Sequence, residues 1–419
     1  MSRWKHTRLG DLCEVFSGYP FQSARFSSDP DDVPLVKGEN IGQGQILWEI
    51  SKRWPRDEAD ELDRFRLQSD DVVLAMDRPW VPAGLKFARI RKSDPQALLV
   101  QRVARLRSRG GLEQTLLPYV IGSPGFVAYI QNIARGVGVP HISGKQIADF
   151  QLSLPPAVVQ KRISRILLAY DDLIENNTRQ IALLEQAATL LYEEWFVRLQ
   201  FPGREHTKVV DSPVGPVPKG WRVVRLRDIC TKIGSGATPR GGQSSYHQDG
   251  VTLIRSQNIY DTGFADAGLA YLDDNQASEL SNVTVQPRDI LLNITGASVA
   301  RCCMIPERHL PARVNQHVMI IRVNPAVTDA HFVLAAINSA PRKKQLLAYS
   351  QVGATREALT KETVGNFQIV LPKDELLRQF ADLADDASGQ REVLSHQNSR
   401  LQTARDLLLP KLMSGEIEV

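Results

Sequence analysis

The apolar positions of this chain change period twice, in the same way each time. Through residues 1–155 they come as short β-branched runs broken by Gly and Pro. From Val159 they settle into steps of three and four: Val159, Ile163, Ile166, Tyr170, Ile174, Asn177, Ile181, Leu184, Ala188, Leu191 and Trp195. Two successive steps of four around Tyr170 resemble a coiled-coil stutter. Short runs then return, among them Asp289-Ile290-Leu291-Leu292-Asn293-Ile294 and Val318-Met319-Ile320-Ile321-Arg322-Val323. A second long row closes the chain: Leu376, Phe380, Leu383, Ala387, Gln390, Leu394, Gln397, Leu401, Ala404 and Leu408. The short runs predict strands of a mixed domain, and the long rows predict amphipathic helices.

The recurrence extends to the residues themselves. Val33-Pro34-Leu35-Val36-Lys37-Gly38-Glu39-Asn40-Ile41 reads against Val251-Thr252-Leu253-Ile254-Arg255-Ser256-Gln257-Asn258-Ile259, a displacement of 218 residues. Gln68-Ser69-Asp70-Asp71-Val72-Val73-Leu74 meets Gln286-Pro287-Arg288-Asp289-Ile290-Leu291-Leu292 at the same displacement. Leu9-Gly10-Asp11-Leu12-Cys13 meets Leu226-Arg227-Asp228-Ile229-Cys230, and Phe150-Gln151-Leu152-Ser153-Leu154-Pro155 meets Phe367-Gln368-Ile369-Val370-Leu371-Pro372, both displaced by 217. Four separated blocks at one displacement mean a duplicated unit.

A helix of about 40 residues spans roughly 60 Å, too long for the face of one small domain. The two rows are therefore expected to pack on each other, antiparallel because a globular domain separates them. Asn177, Gln390 and Gln397 are polar at seam positions, a device that fixes register. The expected architecture is α+β: two homologous mixed α/β domains separated by two long helices in an antiparallel coiled coil, an internal repeat with pseudo-twofold symmetry. The expected boundaries are 1–155 for the first domain, 156–200 for the central helix, 201–372 for a linker and the second domain, and 373–419 for the last helix and tail.

Composition narrows this only slightly. The 419 residues are 42% hydrophobic and 23% charged, as in ordinary soluble proteins, and no apolar run suits a membrane span. The opening Met1-Ser2-Arg3-Trp4-Lys5 is unlike a signal peptide, so the cytoplasm is expected. Cys13, Cys230, Cys302 and Cys303 show no metal-ligand spacing. A net charge of +4 permits nucleic acid without requiring it. No cofactor-binding glycine loop with an Asn/Asp-Pro-Pro-aromatic motif is present, and no His-Glu-x-x-His helix. No catalytic residue and no metal ligand is therefore assigned.

The order domain, long helix, domain, long helix resembles the DNA-specificity subunits of type I restriction–modification systems. Ser17-Gly18-Tyr19-Pro20-Phe21 and Ser235-Gly236-Ala237-Thr238-Pro239 look like that family's openings to its target-recognition domains. Asp289-Ile290-Leu291-Leu292-Asn293-Ile294-Thr295-Gly296-Ala297-Ser298 is similar to its strand-and-turn segment, Leu191-Tyr192-Glu193-Glu194-Trp195-Phe196-Val197 to the end of its central helix, and Leu409-Pro410-Lys411-Leu412-Met413-Ser414-Gly415-Glu416-Ile417 to its C-terminal tail. The first repeat departs from this, reading Ala75-Met76-Asp77-Arg78-Pro79-Trp80 where the second has the Thr-Gly-Ala-Ser turn. The resemblance implies a bipartite double-stranded DNA target and two methyltransferase subunits, with two restriction subunits in the cleaving complex. S-adenosylmethionine, ATP and Mg would be bound by those partners and none by this chain.

Such a protein needs Lys and Arg for phosphates and Arg, Asn or Gln for base edges. The first repeat offers Lys37, Asn40, Arg78, Lys86, Gln101, His141 and Lys145. The second offers Arg255, Gln257, Asn258, Thr295, Ser298, Arg301, Gln316, Thr355, Arg356 and Lys361. Recurring polar pairs such as Asn40 with Asn258, or Gln101 with Gln316, also suit turn capping. Trp195 and Phe196 fit either a partner subunit or the adjoining domain. The competing reading is a coiled-coil scaffold without sequence-specific DNA binding, which predicts no salt-sensitive DNA affinity at all.

Overall fold

The first and last strands of each repeat pair with one another. Lys5–Arg8 lies antiparallel to Gln151–Leu154, and Arg222–Arg225 lies antiparallel to Gln368–Leu371. In this computed structural model the described residues are 4–81, 83–134, 140–212, 214–351 and 358–419. Between the paired ends of the first repeat runs a sheet ordered Cys13–Ser17, Val103–Ser108, Val72–Ala75, Phe87–Arg89, Gln43–Gly44. The second repeat orders Cys230–Ser235, Val318–Val323, Ile290–Asn293, Cys302–Met304 in the same sense. In each, a second sheet sets one strand parallel to another: Val33–Val36 on Leu98–Leu99, and Val251–Ile254 on Ala312–Val314. The chain is α+β, and the sequence duplication is a duplication of topology.

One ion pair recurs almost atom for atom. Asp71 is 1% exposed and binds Arg107 through two bonds of 2.7 Å, while the Gln68 N–H donates to the same carboxylate at 2.8 Å. Asp289 is fully buried and binds Arg322 at 2.8 and 2.7 Å, with the Gln286 N–H at 2.8 Å. The pair ties the turn that precedes one central strand to its neighbour, and the two-pronged geometry fixes the register between them.

By internal contacts the chain divides into two units, and the division is not sequential. One joins Met1–Asn176 with Asn398–Val419; the other is Asn177–Gln397. Both long helices, Ala157–Tyr192 and Asp374–Ser414, contribute one end to each unit. In the first unit Arg405 pairs with Asp171 at 2.6 Å and the Asn398 side chain donates to the Ile174 carbonyl. In the second, Asn177 donates to Gln397 at 3.5 Å and Arg391 meets Glu185 at 3.2 Å. Rising numbers on one helix meet falling numbers on the other, so the helices run antiparallel within each unit.

Along the central helix the row from Ile163 to Leu191 is buried or half-buried at every expected position, with Asn177 only 7% exposed. The second helix corrects the expected row. Leu383 is 52% exposed and Gln390 is exposed, while Ala384 and Arg391 turn inward in their place. Here the helix packs on a domain, where 3.6 residues per turn outruns a strict heptad. Gln397 is largely exposed, although its side chain still reaches Asn177. Leu394, Leu401 and Leu408 stay half-buried.

The helix ends finish the cores. Leu409 and Leu412 join Ile163, Leu167, Phe126 and Leu106 in the first unit. Tyr192, Phe380 and Ala384 join Phe332 and Ile321 in the second. After Tyr192 one widened turn, Glu193–Val197, closes with the Arg198 N–H on the Glu193 carbonyl at 2.8 Å. It aims Phe196 inward, edge-on to Phe332 at 5.1 Å and Phe380 at 5.3 Å, and packs Trp195 beside it. Both aromatics pack against the adjoining domain and stay half-buried.

Asp289→Ala is expected to destabilise the second unit by about 3 kcal/mol, since it leaves the Arg322 guanidinium unpaired beneath the sheet. Urea denaturation against wild type measures this, and a change below about 0.5 kcal/mol would show the pair to be dispensable.

Candidate DNA interface

Most of the polar candidates in the first repeat gather around the turn from Met76 to Leu85. The Arg78 N–H donates to the Pro140 carbonyl at 2.7 Å, and the Ile142 N–H donates to the Met76 carbonyl at 2.9 Å, which brings the His141 segment alongside. Asp77 takes hydrogen bonds from Arg102 at 2.8 Å and His141 Nδ1 at 2.5 Å. Burial works to raise the Asp77 carboxyl, but Arg102 and His141 outweigh it and hold the group below its ordinary 3.8. Lys86 donates to the Gly38 carbonyl, and burial lowers its ammonium pKa, with Glu39 opposing and Arg78 adding to the effect. Lys37 pairs with Glu39 at 3.2 Å. Arg78 and Gln101 are exposed beside this group, whereas Lys145 is exposed on the short helix Gly144–Ala148.

The second repeat arranges its candidates differently. Thr238 donates to Gln316, whose amide meets His317 Nε2 at 3.0 Å, while His317 Nδ1 lies 2.7 Å from the Thr295 hydroxyl. These four residues form a polar chain on the protein surface. Arg255 and Gln257 both donate to the Gly268 carbonyl, and Arg255 also lies over Tyr246. Arg301 lies over the Tyr260 ring at 4.9 Å. Ser298 is half-buried in the Gly296–Ser298 turn, and Lys361 is exposed on Lys361–Gly365. Thr355 and Arg356 lie outside the described residues.

Two candidates are structural in this geometry. Asn40 is 1% exposed: its Oδ1 accepts from the Lys37 N–H and its amide donates to the Leu35 carbonyl. Asn258 is fully buried, accepting from the Arg255 N–H and donating to Ala265 and Ala267. Turning either amide outward would strand buried backbone groups, at a cost of about 1–3 kcal/mol each. In the other direction, Asp77, Arg102, Thr238, His317 and Tyr260 belong to the surface clusters but were not among the expected residues. For three of them the sequence signal is adjacency, since Asp77 directly precedes Arg78 and Arg102 and His317 directly follow Gln101 and Gln316.

Among the described residues no group of three or more His, Cys, Asp or Glu could hold a metal ion. No helix among them is long and apolar enough to cross a membrane.

Residues 1–186 match the family model described as the type I restriction modification DNA specificity domain. The chain is 24% identical to the type I restriction enzyme MjaIX specificity subunit of Methanocaldococcus jannaschii, across 99% of this chain and 94% of that protein. Residues 1–186 are thus similar to the type I specificity domain, and the whole chain is similar to type I specificity subunits. The EcoAI specificity subunit of Escherichia coli is 34% identical over 173 residues, which are 41% of this chain and 28% of that one. A crystal structure of the type I restriction–modification S subunit from M. genitalium shares the fold, with a TM-score of 0.56 and 12% identity over 98% of this chain and 96% of that one.

The sign of the Asp77 shift sets a pH dependence. A carboxyl lowered by folding contributes stability that is present above its unfolded value and lost as the pH falls through the folded one. Asp77→Asn should therefore be less stable than wild type at pH 7, with the difference closing below the ordinary carboxyl value of 3.8. Urea midpoints for both proteins at pH 7 and pH 3 decide it. A gap of equal size at the two pH values would assign the effect to packing instead.

Proposed function

We propose that this chain is the DNA sequence-specificity subunit of a type I restriction–modification complex, each repeat reading one half of a bipartite target. The observation that carries the reading is the duplication. One fold occurs twice, locked by the same Asp–Arg pair, yet its surface residues differ between copies. Two diverged copies of one reader suit two half-sites related in placement and different in sequence. The MjaIX specificity subunit, matched across 94% of its length, supports the same role.

In this reading the surface around Arg78, Lys86, Gln101, Arg102 and His141 reads one half-site. The Thr238–Gln316–His317–Thr295 chain with Arg301 reads the other. Base edges are distinguished in the major groove by their donor and acceptor patterns, and Lys and Arg supply the phosphate contacts. The helical seam spaces the two readers and docks two methyltransferase subunits, with restriction subunits added for cleavage. The chain contributes no catalytic group of its own. Adenine methylation with S-adenosylmethionine, and ATP- and Mg-dependent cleavage, take place on the partners.

The test is single-molecule methylome sequencing of a host without adenine methylation of its own. The host expresses this chain with its methyltransferase subunit, and in a control that subunit alone. A split motif with an unspecific spacer is expected only from the pair, and exchanging residues 1–155 should change one half alone. If the subunits co-purify and the methyltransferase binds its cofactor but no motif appears, the scaffold reading replaces this one.

A further inference from the structure

Arg301 and Lys86 occupy equivalent places in the two repeats. The Asn293 N–H donates to the Arg301 carbonyl and the Ala75 N–H to the Lys86 carbonyl, both on the strand next to the ion-paired turn. Their side chains part company. Lys86 folds back onto the Gly38 carbonyl of its own domain. Arg301 lies over Tyr260, a ring 40% exposed, where the first repeat has Gly42 at the corresponding position.

The backbone that carries Arg301 is clamped on both sides. Lys343 Nζ donates to the Ala300 carbonyl, to Asp261 Oδ1 at 2.6 Å and to Asn338 Oδ1 at 2.9 Å. The same Asp261 oxygen accepts from the Cys302 N–H at 3.0 Å, and the Asn338 amide donates to the Cys302 carbonyl at 3.0 Å. Lys343 is only 16% exposed. A charge this enclosed needs several oxygen partners, and the three that it has belong to the residue before Arg301, to the residue after Tyr260 and to the helix Ala330–Asn338. Asp261 thus couples the base of the arginine to the base of the ring beneath it. A guanidinium resting on an aromatic face, on a peptide held at both ends, has lost most of the freedom that binding would otherwise remove.

We infer that Arg301, stacked on Tyr260, is the guanine-discriminating side chain of the second recognition domain, and that Lys343 is its positioning residue. The inference rests on the DNA-reading function proposed above. Arg forms bidentate bonds to guanine O6 and N7, and a rigid planar fork rejects the other bases where a mobile ammonium does not. The first domain, with Lys86 in the equivalent place, lacks this device.

Methylome sequencing of the full chain co-expressed with its methyltransferase subunit tests this. Wild type should show a guanine at one defined position of the half-site that follows residues 201–372. R301A and R301K should each relax that position by roughly 10- to 100-fold and leave the other positions intact. K343M should relax the same position in part, because it frees the peptide without removing the guanidinium. A purely structural lysine would instead lower methylation at every position together. Arg301 is half-buried and outside the apolar cores, so R301A should fold, and a motif that R301A leaves unchanged overturns the inference whatever K343M does. A wild-type chain that yields no split motif overturns the parent reading, and this inference with it.

Discussion

Each recognition core in this chain is completed by a helix end that the neighbouring repeat supplies. Leu409 and Leu412 from the C-terminal helix sit among Ile163, Leu167 and Phe126 of the first unit. Tyr192 from the central helix sits among Phe332, Phe380 and Ile321 of the second. Apolar burial of this kind supplies about 1.5–3 kcal/mol per side chain, so neither core is finished until both helices are in place. The exchange ties folding to pairing: the segments that close the cores are the same ones that run antiparallel within each unit.

The buried polar side chains that recur in both repeats are all satisfied internally. Asp71 and Asp289 are buried in two-pronged contact with arginines, and Asn40 and Asn258 satisfy neighbouring backbone. All four recur between the repeats because the fold requires them twice. The polar clusters that differ between the copies lie on the surface. Asp77 gathers Arg102 and His141 in the first unit, while Thr238, Gln316, His317 and Thr295 form a chain in the second. A duplicated fold with diverged surface clusters separates what holds the domain together from what distinguishes its two copies.

The sequence by itself determined the duplication, the strand runs and the central helix, because period and repeat are local properties written in the order of residues. The antiparallel sense of the helices also followed from connectivity, since a domain lies between them. Tertiary structure alone decided the face of the second helix, where Ala384 packs with Phe332 and Tyr192 and Arg391 meets Glu185, leaving Leu383 and Gln390 outward. It also decided that Trp195 and Phe196 pack against a core, and that Asn40 and Asn258 face inward while His317 and Tyr260 are exposed. The physical reason is the range of the interaction. An apolar stripe can be counted along the chain, but the partner of a polar side chain is chosen by which distant backbone groups burial has left to satisfy.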